Sequence, residues 1–308
     1  MKAVRIHEYG DPSVLRHEEA PMPVLRENDV LVRVHSAGVN PVDWQTRKGN
    51  RPEAEYPLPL IVGWDFAGTV EDVGQAETAF VVGDRVYARP DISRDGAYAE
   101  YIAVDAGEIA KVPESVPLEV ASSIPLACLT AWRSLFDHAH LTNTHNILIH
   151  GGAGGVGIFA VQLASLAKAH TVVTASGDGR DLVRSLGADE VIDYTEEDFT
   201  SRGPVFDVVY DTVGDDTLRR SFDVVKPGGI IVSITAVPDQ RLAAERGVRA
   251  EVSIVRPDAA RLSEITTMVD AGKLRSVIAR EFPLAEAVAA QQMSEGRHTH
   301  GKIVLRVA

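Results

Sequence analysis

Five glycines fall within seven residues, at Gly151, Gly152, Gly154, Gly155 and Gly157, in a stretch that reads NILIHGGAGGVGIFAVQLA from Asn146 to Ala164. They follow the branched apolar run Ile147-Leu148-Ile149, which suits a buried parallel strand. They precede a helical pattern with Ile158, Val161, Leu163, Ala164, Leu166 and Ala167 on its apolar face. In that setting the G-x-G-x-x-G spacing of Gly152, Gly154 and Gly157 has a mechanical meaning. Gly152 permits a tight turn, Gly154 lets the backbone approach a pyrophosphate, and Gly157 lets the helix pack closely on the strand. Through Gly155 and Val156 the turn feeds a helix N-terminus whose unpaired N–H groups and positive dipole end suit phosphate. The chemistry indicated is dinucleotide binding, and the alternative is a glycine-rich turn that binds nothing.

The next strand, Thr171-Val172-Val173-Thr174-Ala175, ends at Ser176. An Asp or Glu at this strand end, roughly 20 residues after the glycines, takes the ribose hydroxyls of NAD. Here the residue is Ser, and a hydroxyl can donate to a 2′-phosphate that a carboxylate would repel. Arg180, four residues on, can supply positive charge in a bidentate fork. The expectation is NADPH rather than NADH. Two other readings stay open: Arg180 as a solvated charge at a helix start, and Asp178 as the ribose ligand if the turn is one residue longer.

The elements that must position these groups are legible around them. From residue 147 onward strand and helix alternate: strand 147–149, helix 156–168, strand 171–175, helix 180–186 and the short run 191–194. Strand 205–210, a helix over 218–225, the turn Pro227-Gly228-Gly229 and strand 230–234 follow. This pattern predicts an α/β fold with a doubly wound parallel sheet, whose ligands sit at the C-terminal strand ends. Those ends are Gly152, Ser176, Tyr194, Asp211-Thr212-Val213-Gly214 and Ser233, so Val213 joins the cofactor-binding candidates. The first third differs. Short alternating runs at 3–6, 30–34, 68–70, 85–88 and 97–102 are punctuated by Gly, Pro, Asp and Asn, and predict a small barrel-like β domain. A helical pattern covers 118–140. The tail carries a strand near Val277-Ile278, a helix over 284–292 and a last strand 303–305, which is expected to return to the first domain. The expected domains are 1–117 with 263–308, and 118–262.

Composition bounds the rest. The 308 residues suffice for two domains, and a net charge of −13 argues against nucleic acid or an anionic membrane as partner. The same acidity would also suit a salty cytoplasm. No apolar run approaches the roughly 18 residues a membrane helix needs, and the start MKAVRIHEYG lacks the apolar core of a signal peptide. A cytoplasmic enzyme is expected. Cys128 is the single cysteine, so neither an intrachain disulfide nor a cysteine-based zinc site is available.

A family resemblance rests on several segments together: AGVNPVDW at 37–44, GWDFAG at 63–68, GDRV at 83–86, GAYAEY at 96–101, residues 125–131, the glycine turn, LGADEVIDY at 186–194, and GKIVL at 301–305. The whole chain resembles a medium-chain dehydrogenase/reductase, specifically a zinc-independent quinone oxidoreductase of the zeta-crystallin-like type. The resemblance implies a GroES-like β domain, a Rossmann domain and a catalytic cleft between them. Zinc-dependent relatives carry a catalytic Cys where this chain has Asn40 and a His where it has Trp64, and the third ligand region near Leu126 lacks a matching Cys or His. Since zinc needs three or four such ligands, no metal is expected.

Without a metal, alcohol oxidation is disfavoured, whereas hydride delivery to a quinone or an α,β-unsaturated carbonyl needs only positioning and a hydrogen bond to the developing oxyanion. The catalytic candidates are Asn40, as a polar group lining the site, and the Thr130 hydroxyl near the nicotinamide. Asp43, Trp44 and Tyr56 are weaker candidates for shaping the substrate pocket. Asn40 can equally be a turn residue before Pro41. Lys302 either approaches the cofactor or merely precedes a strand. The resemblance also places Tyr194 beside the adenosine 2′-phosphate, with packing on a helix as its other reading. A homodimer is expected from the resemblance and from a sheet edge near Val252 to Val255. The competing class is an NADPH-binding sensor or structural protein with little turnover.

Overall fold

A computed structural model describes residues 1–50, 57–76 and 80–308. The chain divides into two compact units, one of Met1–Leu126, Arg256–Gly272 and Ile278–Ala308, the other of Ala127–Val255 and Lys273–Val277. The division falls at Leu126/Ala127 and Val255/Arg256, within the helix Pro125–Trp132 and after the strand Arg249–Val252, and not at 117/118 and 262/263.

The first unit is built on one long strand. Asp29–Val39 is rich in Val and alternates little, because nearly all of it is buried. Its first half pairs antiparallel with Tyr101–Asp105, and its second half pairs along the same side with Lys302–Arg306. Its other side pairs with Phe66–Val73, and register shifts near Leu31/Val32 and Val34/Ser36 break that ladder. Bulges of this kind bend a strand and increase its twist. Arg85–Ala88 and Ala110–Lys111 extend one side of the seven-stranded sheet, and Ile278–Pro283 closes the other, parallel to Lys302–Arg306. A separate three-stranded sheet holds Arg16–Glu19, Lys2–Ile6 and Leu60–Ile61. Val30, Val32, Val34, Trp64, Phe66, Tyr98 and Leu305 fill the core between them. The last strand does return to this unit.

The second unit is a six-stranded parallel sheet. Its strands in chain order are Asn146–His150, His170–Ala175, Glu190–Asp193, Phe206–Asp211, Val225–Ser233 and Arg249–Val252, and in space they run 3-2-1-4-5-6. That order places the topological switch between Asn146–His150 and Phe206–Asp211. Ile147, Leu148 and Ile149 are each fully buried, as a strand covered on both faces requires.

Several elements differ from expectation for identifiable reasons. The helical span 118–140 is broken into Leu118–Ala121, Pro125–Trp132 and a wider turn over Arg133–His138; Pro125 has no N–H to continue the preceding helix. The helix over 218–225 is Asp215–Arg220 with a tight turn at Ser221–Asp223, and Val225 already belongs to the next strand. The turn Pro227-Gly228-Gly229 is a bulge within that strand: Phe206 pairs with Val225 but Val208 pairs with Ile230, and Gly228 has φ +81°. The 284–292 helix begins as a tight turn and becomes α-helical at Ala287–Glu295.

Gly38 shows how closely the first unit is packed. Its N–H donates to the Asp65 carbonyl at 2.8 Å, and a Cβ added there would lie 2.5 Å from the Ser122 carbonyl oxygen and 2.7 Å from Asp65 Oδ2. Gly38→Ala is therefore expected to destabilise the protein by about 1–3 kcal/mol, the usual cost of overpacking. Denaturant unfolding checks this: the midpoint falls and the slope stays constant.

Candidate functional site

In the first unit the long strand delivers Asn40 to the start of helix Pro41–Arg47. The antiparallel register sets Ile303 opposite Val39, which brings Lys302 alongside Asn40 across 262 residues of sequence. The Lys302 ammonium donates to Asn40 Oδ1 and lies 3.6 Å from Asp65 Oδ2. Asn40 Nδ2 donates to the same Asp65 oxygen at 3.1 Å and makes a long contact of 3.4 Å to the Gly38 carbonyl. Asp65 Oδ1 accepts from the Leu126 N–H at 3.2 Å. Asp43 Oδ2 accepts from the Asn40 N–H at 2.8 Å and from the Tyr98 hydroxyl at 2.9 Å, while Asp43 Oδ1 has no partner. Asn40, Asp43, Asp65 and Lys302 are all buried, at 3% exposure or less.

The site thus holds two carboxyls and one ammonium away from water. Burial raises Asp43 to about 7 and Asp65 to about 6, and Lys302 opposes both shifts. Burial lowers Lys302, with Asp65 and Asp43 pulling it back up. Asp65 is the direct partner of the ammonium, which leaves Asp43 as the carboxyl that most readily keeps its proton.

Helix Pro41–Arg47 is held in place at its far end. The buried Arg47 guanidinium donates to Gln291 Oε1 at 2.8 Å and to the Gly10 carbonyl at 2.6 Å, and it pairs with Glu295, so helix 287–295 anchors it. Trp44 is buried with its Nε1 unpartnered, and Lys48 lies 4.9 Å over its ring. Tyr56 falls outside the described residues. Trp64 is fully buried and donates from Nε1 to the Arg94 carbonyl at 3.1 Å. Among the described residues no three His, Cys, Asp or Glu side chains are grouped so that they could hold a metal ion.

In the second unit the glycine turn sits at the switch point. Gly151, not Gly152, adopts the left-handed backbone, with φ +68°. Gly152 is required for a different reason: a Cβ there would lie 2.0 Å from Val173 Cγ1. A Cβ at Gly157 would lie 2.3 Å from the Gly151 carbonyl oxygen, which explains the close approach of turn and helix. Gly154 has only that same carbonyl near it, at 3.2 Å. Val156 stands at the N-cap of helix Gly157–Leu166 without a side-chain bond to it, and the amides expected to be unpaired are in part taken by the turn itself. The Ile158 N–H donates to the Gly154 carbonyl at 3.0 Å and the Phe159 N–H to the Val156 carbonyl at 3.1 Å. The Thr212 hydroxyl donates to the His150 carbonyl at 2.7 Å and ties strand ends 1 and 4 together. A Cβ on Gly151 would meet Thr212 Oγ1 at 2.6 Å and Val213 Cγ2 at 3.1 Å, so Val213 borders the glycine turn. Asp211 organises this corner by accepting from the Val213 and Gly214 amides and from the Ser233 and Thr235 hydroxyls.

At the end of strands 2 and 3 the Ser176 hydroxyl donates to the Tyr194 hydroxyl at 2.7 Å, and Tyr194 is 53% exposed. Arg180 Nη1 lies 3.1 Å from Asp193 Oδ2. The structure therefore brings Ser176, Tyr194 and Arg180 to adjacent strand ends and joins Lys302 to Asn40. Thr130 belongs to the second unit, where its carbonyl accepts from the Ser134 hydroxyl at 2.8 Å.

Sequence reading missed Asp65, Tyr98 and His150. Asp65 carried a signal, since a lone carboxylate entering an apolar strand must find a buried partner. His150 ends the first strand fully enclosed, between the Thr174 and Ser221 hydroxyls and edge-on to Phe199 at 4.6 Å. Burial pushes it down to about 4, so it is a neutral packing residue at physiological pH.

These features define a Rossmann-type dinucleotide-binding unit joined in one chain to a β unit with a dry polar cluster. Comparison with known proteins gives the family. Residues 26–114 match the family described as "Alcohol dehydrogenase GroES-like domain", and residues 186–305 match "Zinc-binding dehydrogenase". The chain is 33% identical to an NADPH-dependent alkenal/one oxidoreductase of Arabidopsis thaliana, covering 99% of this chain and 79% of that protein. A quinone oxidoreductase from Coxiella burnetii superposes with a TM-score of 0.93 at 34% identity, over 100% of this chain and 99% of that one. A mycobacterial protein solved in complex with NADPH superposes with a TM-score of 0.88 at 31% identity, over the full length of both. The chain belongs to the medium-chain dehydrogenase/reductase superfamily, among its quinone and enone oxidoreductases. No helix among the described residues is long and apolar enough to cross a membrane.

The raised carboxyl of Asp43 makes stability depend on pH in a definite sense. A folded-state pKa above the unfolded value means that the native protein holds a proton the unfolded chain has lost. The contribution is then complete below the ordinary carboxylate value of 3.8 and disappears as pH rises through about 7. Asp43→Asn keeps an oxygen for the Asn40 amide and the Tyr98 hydroxyl but cannot ionise. Its unfolding free energy is expected to fall less steeply between pH 4 and 7, by up to about 1.4 kcal/mol per pH unit. Denaturant titrations at several pH values measure this.

Proposed function

We propose that the protein is an NADPH-dependent oxidoreductase that delivers hydride to a quinone or an α,β-unsaturated carbonyl without a catalytic metal. The observation that carries the coenzyme assignment is the strand end at Ser176, where no carboxylate stands at the ribose position and Tyr194 and Arg180 stand beside the serine. Gly152, Gly154, Gly155, Val156 and Gly157 cradle the pyrophosphate, Val213 borders it, and Ser176, Arg180 and Tyr194 take the 2′-phosphate. The NADPH named for the Arabidopsis relative and held in the mycobacterial complex supports the same choice.

Bound NADPH supplies the hydride; the protein supplies position and a polar contact. Asn40 is the donor best placed by its surroundings. Its Oδ1 is fixed by Lys302 and one Nδ2 hydrogen by Asp65, and the other Nδ2 hydrogen has only the long contact to the Gly38 carbonyl. Thr130 lines the nicotinamide side. Lys302 was a candidate for the coenzyme; we assign it to orienting Asn40, because its ammonium is enclosed and already has two partners.

The residues do not fit a zinc ion. An amide and an indole stand where zinc relatives have Cys and His, Trp64 has no ligating atom, and the Lys302 ammonium already occupies the cation position beside Asp65. A homodimer belongs to the same reading, through the edge strand Arg249–Val252 of the parallel sheet.

Steady-state kinetics with each coenzyme and a small naphthoquinone test the assignment. Arg180→Ala should raise KM for NADPH at least about tenfold, since a hydrogen bond to a charged group contributes roughly 1.5–3 kcal/mol. KM for NADH should change less than about twofold. Equal turnover with both coenzymes, unchanged in Arg180→Ala, contradicts the NADPH assignment; stoichiometric binding without turnover on a panel of quinones and enones contradicts the enzyme.

A further inference from the structure

We infer that Asp193 sets how strongly the coenzyme site favours a 2′-phosphate, by holding Arg180 in an ion pair for which the phosphate must compete. The inference rests on the NADPH reading above and adds a residue that limits it.

The parallel register pairs Ala175 with Asp193, so Ser176 and Tyr194 are the next residues past the two strand ends and Asp193 lies one step inside them. Arg180, second residue of helix Gly179–Ser185, places Nη1 3.1 Å from Asp193 Oδ2, and its Nε makes a longer bond of 3.3 Å to the Gly177 carbonyl. Asp193 is fixed from its other side: Oδ1 accepts from the Thr195 amide at 3.0 Å and from the Thr195 hydroxyl at 2.7 Å. Those Thr195 bonds, and then the Arg180 charge, hold the carboxyl below the usual carboxylate range, so it is ionised at neutral pH. Arg180 is the more exposed partner, with its side chain 39% exposed against 10% for Asp193.

The arginine that must recognise a phosphate dianion is therefore already neutralised by a rigid carboxylate. A 2′-phosphate gains the guanidinium only by sharing it, and it meets a like charge one residue away. NADH brings a 2′-hydroxyl to the same place, which a carboxylate repels in no way. Asp193 thus lowers the discrimination that Ser176, Tyr194 and Arg180 create.

Calorimetric titration of the full-length protein with adenosine 2′,5′-bisphosphate and with adenosine 5′-monophosphate tests this directly. Asp193→Asn retains an oxygen for Thr195 and should tighten bisphosphate binding about fivefold, the upper end of what an exposed ion pair contributes. Monophosphate binding should stay within about twofold, Asp193→Ala should act in the same direction, and the gain should vanish when combined with Arg180→Ala. Bisphosphate binding that is unchanged or weaker in Asp193→Asn overturns the inference, and so does an equal gain without Arg180. A wild-type protein that binds the bisphosphate no better than the monophosphate fails earlier, at the NADPH reading itself.

Discussion

The first unit depends on a lysine ammonium that has been taken out of water. Lys302 is buried, and a cation in that position requires partners that replace its hydration. Asp65 and Asn40 provide them, and each is thereby fixed. The demand binds the last strand of the chain to the loop after the long strand and to the strand that begins at Phe66. Gly38 lies against the same carboxylate, and a Cβ there would meet the Ser122 carbonyl and the Asp65 side chain. Burial pushes the second carboxyl, Asp43, toward its neutral form, and Lys302 opposes that shift without cancelling it. The polar group assigned to the substrate oxygen is thus oriented by charges that the solvent does not screen.

The second unit works by the opposite economy. Beneath the strand ends His150 is bonded to the Thr174 and Thr212 hydroxyls, and Asp211 accepts from the Val213 and Gly214 amides and the Ser233 and Thr235 hydroxyls. What remains at the rim is an exposed set of hydroxyls and one arginine, together with a glycine turn stripped of side chains. A rim of this kind costs little to leave in water and is ready to exchange water for phosphate. Rigid below and solvated above is the arrangement a coenzyme site needs when the ligand must enter and leave in every turnover.

The parts legible in the sequence were those with short-range causes. Apolar runs at 147–149, 171–175 and 206–211 are parallel strands because both faces are covered, and the glycine spacing required a turn between strand and helix. The return of the last strand followed from a parallel sheet that had no place for it. What stayed hidden was long-range or geometric. Nothing local in the sequence joins Lys302 to Asn40; the link is a strand register. Which glycine takes the left-handed φ, Gly151, and which is there because Val173 leaves no room for a Cβ, Gly152, are set by the three-dimensional packing and not by the spacing. The bulge at 226–229 looked like a turn because proline and glycine mark both. The pairing of Arg180 with Asp193 needed the alignment of two strands 18 residues apart in sequence.

Whether a resident ammonium truly takes the place of a metal is the most direct question to put to the molecule. The decisive measurement is elemental analysis of protein dialysed against a strong chelator, combined with its rate of NADPH consumption on a naphthoquinone. Sustained, multiple-turnover consumption by protein with far less than one equivalent of zinc is the expected result. Loss of turnover on chelation that added zinc restores would contradict it.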